Sequence, residues 1–219
     1  MANVTLKKSA INKRQKKEAL MNTAFELFTS KGINKTSISD IVEKAGVAKG
    51  TFYLYFKDKY DIRNYLISSK AEQLFLTAHK ALDTTKIPEI EDQIVFIVDN
   101  CLNQLTENPS LLNFISKNLS WGVFKKALVD PESESDMNTM DMDELDSENF
   151  SFYKIYQYLI NSSDRHFKDP EIMLFMIIEL VSSTCYSSIL YSEPCSIDEL
   201  KPHLFKQVRH ILEDHEEKQ

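Results

Sequence analysis

Apolar residues recur at helical spacing through most of this 219-residue chain. Over 14–31, Leu20, Ala24, Leu27 and Phe28 fall on one stripe with polar side chains between them, and Gly32 follows as a stop signal. A shorter stripe of Ile38, Ile41, Val42 and Ala45 comes next and ends at Gly46. The spacing then predicts a short helix over about 48–55, with Val47 filling the corner and Phe52 and Phe56 turned inward, and a long helix over 58–82. These residues form a small three-helix core, too poor in apolar surface to stand comfortably alone, so the helix after Asp58 is expected to support it. Further on, breakers at helix-length intervals predict helices opening at Pro88 and Pro109 and others over 150–161, 171–191 and 197–213. Strand-like alternation is scarce. The pattern is that of an all-α protein with an N-terminal helix-turn-helix unit and a larger helical domain. The expected boundary lies at 57/58, giving domains 1–57 (with a basic arm over 1–13) and 58–219.

The turn is the densest signal. Ser37 can accept from the backbone N–H of residue 40, and Asp40 can reach back in a capping-box exchange. Of the four glycines, three (Gly32, Gly46, Gly50) fall in or beside this stretch, the fourth being Gly122. A residue just past a helix end often takes left-handed dihedrals, which glycine adopts without steric cost. Helix, tight turn, short helix is the arrangement of a double-helix reader.

The run AFELFTSKG, then TSISDIVEKAGVAKGTFYLYF, then KDKYDI resembles the DNA-binding domain of the TetR family of transcription regulators, over roughly residues 12–65. The resemblance implies that the helix over 48–55 enters a major groove. Ala48 and Gly50 would let backbone approach the duplex, and Lys49 and Tyr53, with Gly50, are the expected base-edge neighbours. Thr36, Ser37, Thr51, Tyr55 and Lys59 are the expected phosphate neighbours, with Lys57 flanking the duplex backbone. Two positions depart from the usual family pattern. Position 48 is often Ser and 55 often His, where this chain has Ala48 and Tyr55.

Charge changes the picture next. The chain is acidic overall, at −7, but residues 1–80 carry fifteen Lys/Arg against seven Asp/Glu, a balance of +8, which leaves −15 for the remainder. The basic part is the footprint expected of a nucleic-acid surface, and the acidic part would repel a duplex and orient its approach. Lys7, Lys8, Lys13, Arg14, Lys16 and Lys17 are read as an arm that releases counterions on binding.

The larger domain is read as a sensor. Phe96, Trp121, Phe124, Tyr153, Tyr156 and Met176, with Met173, are candidates to line a cavity for an apolar small molecule, although residue by residue ordinary core is the better account of them. Glu179 is a candidate anchor for a cationic ligand, or else a paired interface charge. The segment 171–191 approaches membrane-span length, but Glu179 sits in its middle and acidic residues flank it. It is read with 197–213 as a four-helix seam between two copies of the chain, as the resemblance also implies, presenting two heads to a near-palindromic operator. Residues 129–149 carry nine acidic and no basic side chains and are read as a mobile loop, with spacing unlike a calcium loop.

No phosphate loop, nucleophile elbow or dinucleotide fingerprint occurs, so no enzyme and no cofactor is expected. The five histidines lack zinc-site spacing, and no metal is expected. Cys101, Cys185 and Cys195 form no CxxC and no signal peptide is visible, which makes reduced thiols in a cytoplasm the default; a redox pair of Cys185 and Cys195 stays open. The expectation is a homodimeric repressor released from DNA by a small-molecule effector, with the helix after Asp58 as hinge. Two alternatives remain: a DNA-binding regulator tuned by a protein partner, and a helical protein-interaction module.

Overall fold

The computed structural model describes residues 2–116 and 152–217, with side chains from 12–116 and 155–217. Every named element among them is a helix: α1 (Ala2–Ser30), α2 (Ile38–Ala45), α3 (Lys49–Tyr53), α4 (Lys59–Asp83), α5 (Ile90–Glu107), α6 (Pro109–Ser116), α7 (Phe152–Asn161), α8 (Pro170–Tyr191) and α9 (Ile197–His215). The acidic run 129–149 lies outside the described residues, as do Trp121 and Phe124.

Two expectations about the head need correcting. The first helix starts at Ala2, not near 14, so the stretch expected as an arm is a continuation of α1. Residues 2–13 contain no glycine or proline to stop a helix, and a polar extension has no apolar stripe by which to recognise it. The chain also divides between Ser68 and Ser69, inside α4, rather than at 57/58. The cause is packing: Ile62, Leu66 and Ile67 of α4 are fully or almost fully buried.

In the first unit, Leu20 and Ala24 of α1 and Ile41 of α2 are wholly buried, as is Phe52 of α3. Phe52, Phe56 and Tyr65 form a chain of ring contacts with centroids 5.7 and 5.8 Å apart. Lys17 lies 4.2 Å over the Tyr65 ring and donates to its hydroxyl at 2.9 Å, tying α1 to α4.

In the second unit, α5 and α9 run antiparallel, which two ion pairs in reversed order make plain: Arg209 to Asp92 at 2.6 Å and Lys201 to Asp99 at 2.8 Å. Arg165, between α7 and α8, pairs with both Glu91 and Glu216 and so ties the start of α5 to the end of the chain. Ser196 and Glu199 make a full capping box at the start of α9, whose Leu204, Val208 and Leu212 are buried. α8 packs on α5, α6 and α9 through Met173, Leu174, Ile177 and Cys185. Its other side exposes Ile172, Phe175 and Met176 near its start and Tyr191 at its end. By composition α8 is long and apolar enough to cross a membrane, with a mean hydropathy of 1.7 over its best window.

Candidate nucleic-acid interface

The turn between α2 and α3 is built by caps. The Ser37 hydroxyl accepts from the Asp40 N–H at 3.1 Å, and Asp40 Oδ2 accepts from the Ser37 N–H at 2.9 Å. Lys31 adds an ion pair to the same carboxylate at 2.8 Å. This pair and the Ser37 bonds hold the Asp40 carboxyl down at about 2, against an ordinary 3.8. Gly46 closes α2 in the left-handed region, with φ 66° and ψ 32°, and the Val47 N–H returns to the Val42 carbonyl at 3.0 Å.

α3 begins without a side-chain cap, since Ala48 has no oxygen to offer. It spans Lys49–Tyr53, shorter than the expected 48–55, because its end tapers: the N–H groups of Tyr55 and Phe56 both donate to the Phe52 carbonyl, at 3.0 and 2.9 Å. Ala48, Lys49 and Gly50 are exposed, Thr51 is half-buried, and Tyr53 is 53% exposed with its ring edge-on to Phe52. Gly50 lies outside the left-handed region, and a Cβ built on it would have nothing within 4 Å beyond its chain neighbours and the backbone of its own helix. Nothing inside the fold requires glycine there.

Three expected phosphate neighbours are engaged elsewhere. Thr36 is 1% exposed, and its hydroxyl donates inward to the Gly32 carbonyl at 2.9 Å. Lys59 Nζ donates to the carbonyls of Ile33 and Thr36 at 2.9 and 3.1 Å. The Tyr55 hydroxyl donates to the Lys13 carbonyl at 3.0 Å. These side chains brace the head instead of reaching outward. Ser37 stays exposed, and because its oxygen accepts in the cap, its own proton remains free to donate. Lys57 is exposed, with its N–H held by Asp61 at 2.8 Å. Sequence reasoning passed over two exposed residues near this turn. Leu54, at the end of α3, is 79% exposed, and Lys35 is exposed just before α2.

Among the described residues of the second unit, α4, α5, α6, α7 and α8 line a partly open cavity of about 460 Å³. Its wall is mostly aliphatic, with Leu74, Ile97, Leu102, Ile115 and Ile177 prominent. Of the residues expected to line it, Tyr156 and Glu179 do. Phe96 and Met176 do not: α5 turns Ile94, Ile97, Val98 and Cys101 to the cavity and Phe96 away, while Met176 is 42% exposed on the outer side of α8. Tyr153 lies in α7, but its side chain is outside the described ones. The Tyr156 hydroxyl donates to the Pro170 carbonyl at 2.8 Å, and the Tyr186 hydroxyl to Asn113 Oδ1 at 2.8 Å. Cys101 and Cys185 share the wall as free thiols. Burial pushes Cys101 up to about 12 and raises Cys185 as well. Among the described residues no cluster suited to a metal ion occurs.

The described residues thus comprise a helix-turn-helix unit and an all-helical unit with an apolar cavity. Residues 20–66 match the family model of bacterial regulatory proteins, tetR family. An uncharacterized HTH-type transcriptional regulator of Bacillus subtilis, YvdT, is 52% identical over 59 residues, which is 27% of this chain and 28% of that protein. The fatty acid metabolism regulator protein of the same organism is 41% identical over 61 residues, 28% of this chain and 31% of that protein. The matched stretches thus span under a third of these relatives. The likeness of fold reaches further. The crystal structure of the regulator FadR from Bacillus subtilis in complex with stearoyl-CoA superposes with a TM-score of 0.59 over 87% of this chain and 96% of that one, at 16% identity. Residues 20–66 thus match the tetR-family model, and the fold of the chain is similar to that of solved structures of such regulators.

Proposed function

We propose that this protein is a sequence-specific DNA-binding transcription regulator, a homodimeric repressor released from a near-palindromic operator by an apolar small molecule. The observation that carries the reading is Gly50. A glycine in a helix costs about 0.5–1 kcal/mol relative to alanine, and the fold gives no return for it. A surface that lies against the α3 backbone does. Lys49, Gly50 and Tyr53 are the base-edge residues of this reading, and Ser37, Thr51, Lys57 and Lys35 the phosphate residues. The basic first eighty residues and the family match support it.

The second copy is supported by the exposed face of α8, where Ile172, Phe175 and Met176 follow helical spacing. The effector is supported by the cavity, whose size suits a drug-sized ligand. α4 supplies Ala71, Leu74 and Phe75 to that cavity and Ile62, Leu66 and Ile67 to the core of the head. It is the connecting rod of the proposed switch. By reciprocity, operator and effector weaken each other by the same factor. Such a regulator acts in the cytoplasm.

The test is a salt titration of the full chain against duplexes selected from a randomised pool and against unselected duplex. Binding to selected sequence is expected to persist at salt concentrations that abolish the other. Equal affinity for both, or none for either, overturns the proposal.

A further inference from the structure

The cavity wall has a chemical asymmetry that narrows the effector class. Glu179, half-buried near the middle of α8, is the sole charged side chain on that wall among the described residues. Its backbone carbonyl accepts from Ser182 Oγ at 3.4 Å, while its carboxyl group has no partner among the described residues. Ser116 also lines the cavity, and its buried hydroxyl has no partner among them either. No described lysine, arginine or histidine faces the space. A carboxylate beside aliphatic walls is stabilised by an opposite charge far more than by an apolar neighbour. An anionic ligand would meet that carboxylate with no described cation to offset it, inside a part of the chain that carries −15.

The geometry points to a lipophilic monocation as the occupant: an amine or quaternary ammonium on an apolar body, its charge against Glu179 and its body against Ile97, Leu102 and Ile177. This rests on the proposal that the cavity is the effector site. It runs against the simplest guess from the shared fold, since the Bacillus subtilis regulator was crystallised with stearoyl-CoA, an acyl thioester rich in phosphate. This chain's wall offers such a headgroup no described basic partner.

The experiment uses the full chain and four probes below their micellar concentrations: decyltrimethylammonium, decanol, decanoate and stearoyl-CoA. Binding is followed by calorimetry on the wild type, on Glu179→Gln, and on Ile97→Phe, which fills the space. Decyltrimethylammonium is expected to bind tightest, to lose at least about tenfold in affinity in Glu179→Gln, and to lose binding in Ile97→Phe. Decanol is expected to bind both wild type and Glu179→Gln alike. Thermal unfolding of each variant verifies that it is folded. Tighter binding of decanoate or stearoyl-CoA, or a cation affinity untouched by Glu179→Gln, overturns the assignment of charge while leaving the cavity as effector site. If no probe binds, or if Ile97→Phe binds all of them unchanged, the cavity reading falls along with it.

Discussion

The ammonium group of Lys59 lies 3.1 Å from the carbonyl oxygen of Thr36, twenty-three residues earlier in the chain, and 2.9 Å from that of Ile33. It therefore pins the first turn of α4 to the loop ahead of α2. A flanking lysine is readily taken for a phosphate ligand, but this one closes the head on itself. Lys59→Met is expected to lower the stability of the head by about 1–3 kcal/mol, the range for hydrogen bonds to a charged group, toward its lower end because these bonds are only partly buried. Duplex binding by the folded fraction should be altered little. Lys49→Ala should do the reverse, leaving thermal unfolding unchanged and lowering preference for selected duplex. Should Lys59→Met unfold like wild type and lose affinity for every duplex equally, the brace is not its main role.

Gly50 yields an opposite pair of effects in one substitution. Gly50→Ala meets nothing beyond its own helix and chain neighbours, so the head should gain up to about 1 kcal/mol of stability. The new methyl group would stand where duplex backbone or base edges are proposed to lie, and affinity should fall by about tenfold or more. Chemical denaturation and a binding titration on the same sample check both signs. A stabilised variant that binds as well as wild type would remove α3 from the interface.

The helix-turn-helix was legible from sequence because its signals are local. Ser37 and Asp40 are three residues apart, and Gly46 directly follows the helix it ends. The braces were not, because their acceptors are backbone carbonyls far along the chain: Tyr55 reaches Lys13 across forty-two residues and Lys59 reaches Ile33 across twenty-six. Side-chain type gives no warning that a lysine or tyrosine will be claimed this way. The cavity was half legible. Aromatic and methionine residues drew attention, yet the wall is mainly isoleucine, leucine and valine. On helices that are apolar all round, such as α8, periodicity cannot say which face meets empty space. The capping box of Ser196 and Glu199 was readable by the same rule that found Ser37 and Asp40, and went unread.

Acid should expose the contribution of Asp40. Its carboxyl sits at about 2 when folded, held chiefly by Lys31, against 3.8 ordinarily. A depressed folded value stabilises the protein above the ordinary value, and that share is lost as pH falls through the folded one. The gap in thermal stability between wild type and Asp40→Asn is therefore expected to be full at neutral pH and to close between about pH 4 and pH 2. A gap that stays constant through this window would mean that the Asp40 charge does not matter to the cap.

The three thiols should separate by reactivity. Cys101 and Cys185 are buried and their thiols raised, Cys101 to about 12, while Cys195 is half-buried. Thiolate is the reactive form, so iodoacetamide at mildly alkaline pH should modify one thiol quickly, and mass spectrometry should place the label on Cys195. Cys101 and Cys185 should follow at the rate at which the second unit opens. Rapid labelling of Cys101 in the native protein would contradict a closed wall at that point.

On the proposed dimer, the outer face of α8 would decide whether two heads act together. Phe175 and Met176 stand three and four residues after Ile172, so all three share a side of the helix, and each is more than a third exposed in the single chain. A two-fold axis through such a patch brings each residue near its own counterpart, so one substitution acts twice. Phe175→Glu would place two unpaired carboxylates in a covered apolar seam. The dimer should weaken by about a hundredfold or more, read by sedimentation equilibrium, whereas Ser110→Glu, exposed at the start of α6, should leave it intact. Loss of the seam should also lower affinity for a near-palindromic duplex far more than for one half-site, because the second head no longer arrives tethered to the first. An unaltered dimer in Phe175→Glu would move the axis off α8, and a wild-type chain that sediments as a monomer would leave the palindromic operator without a physical basis.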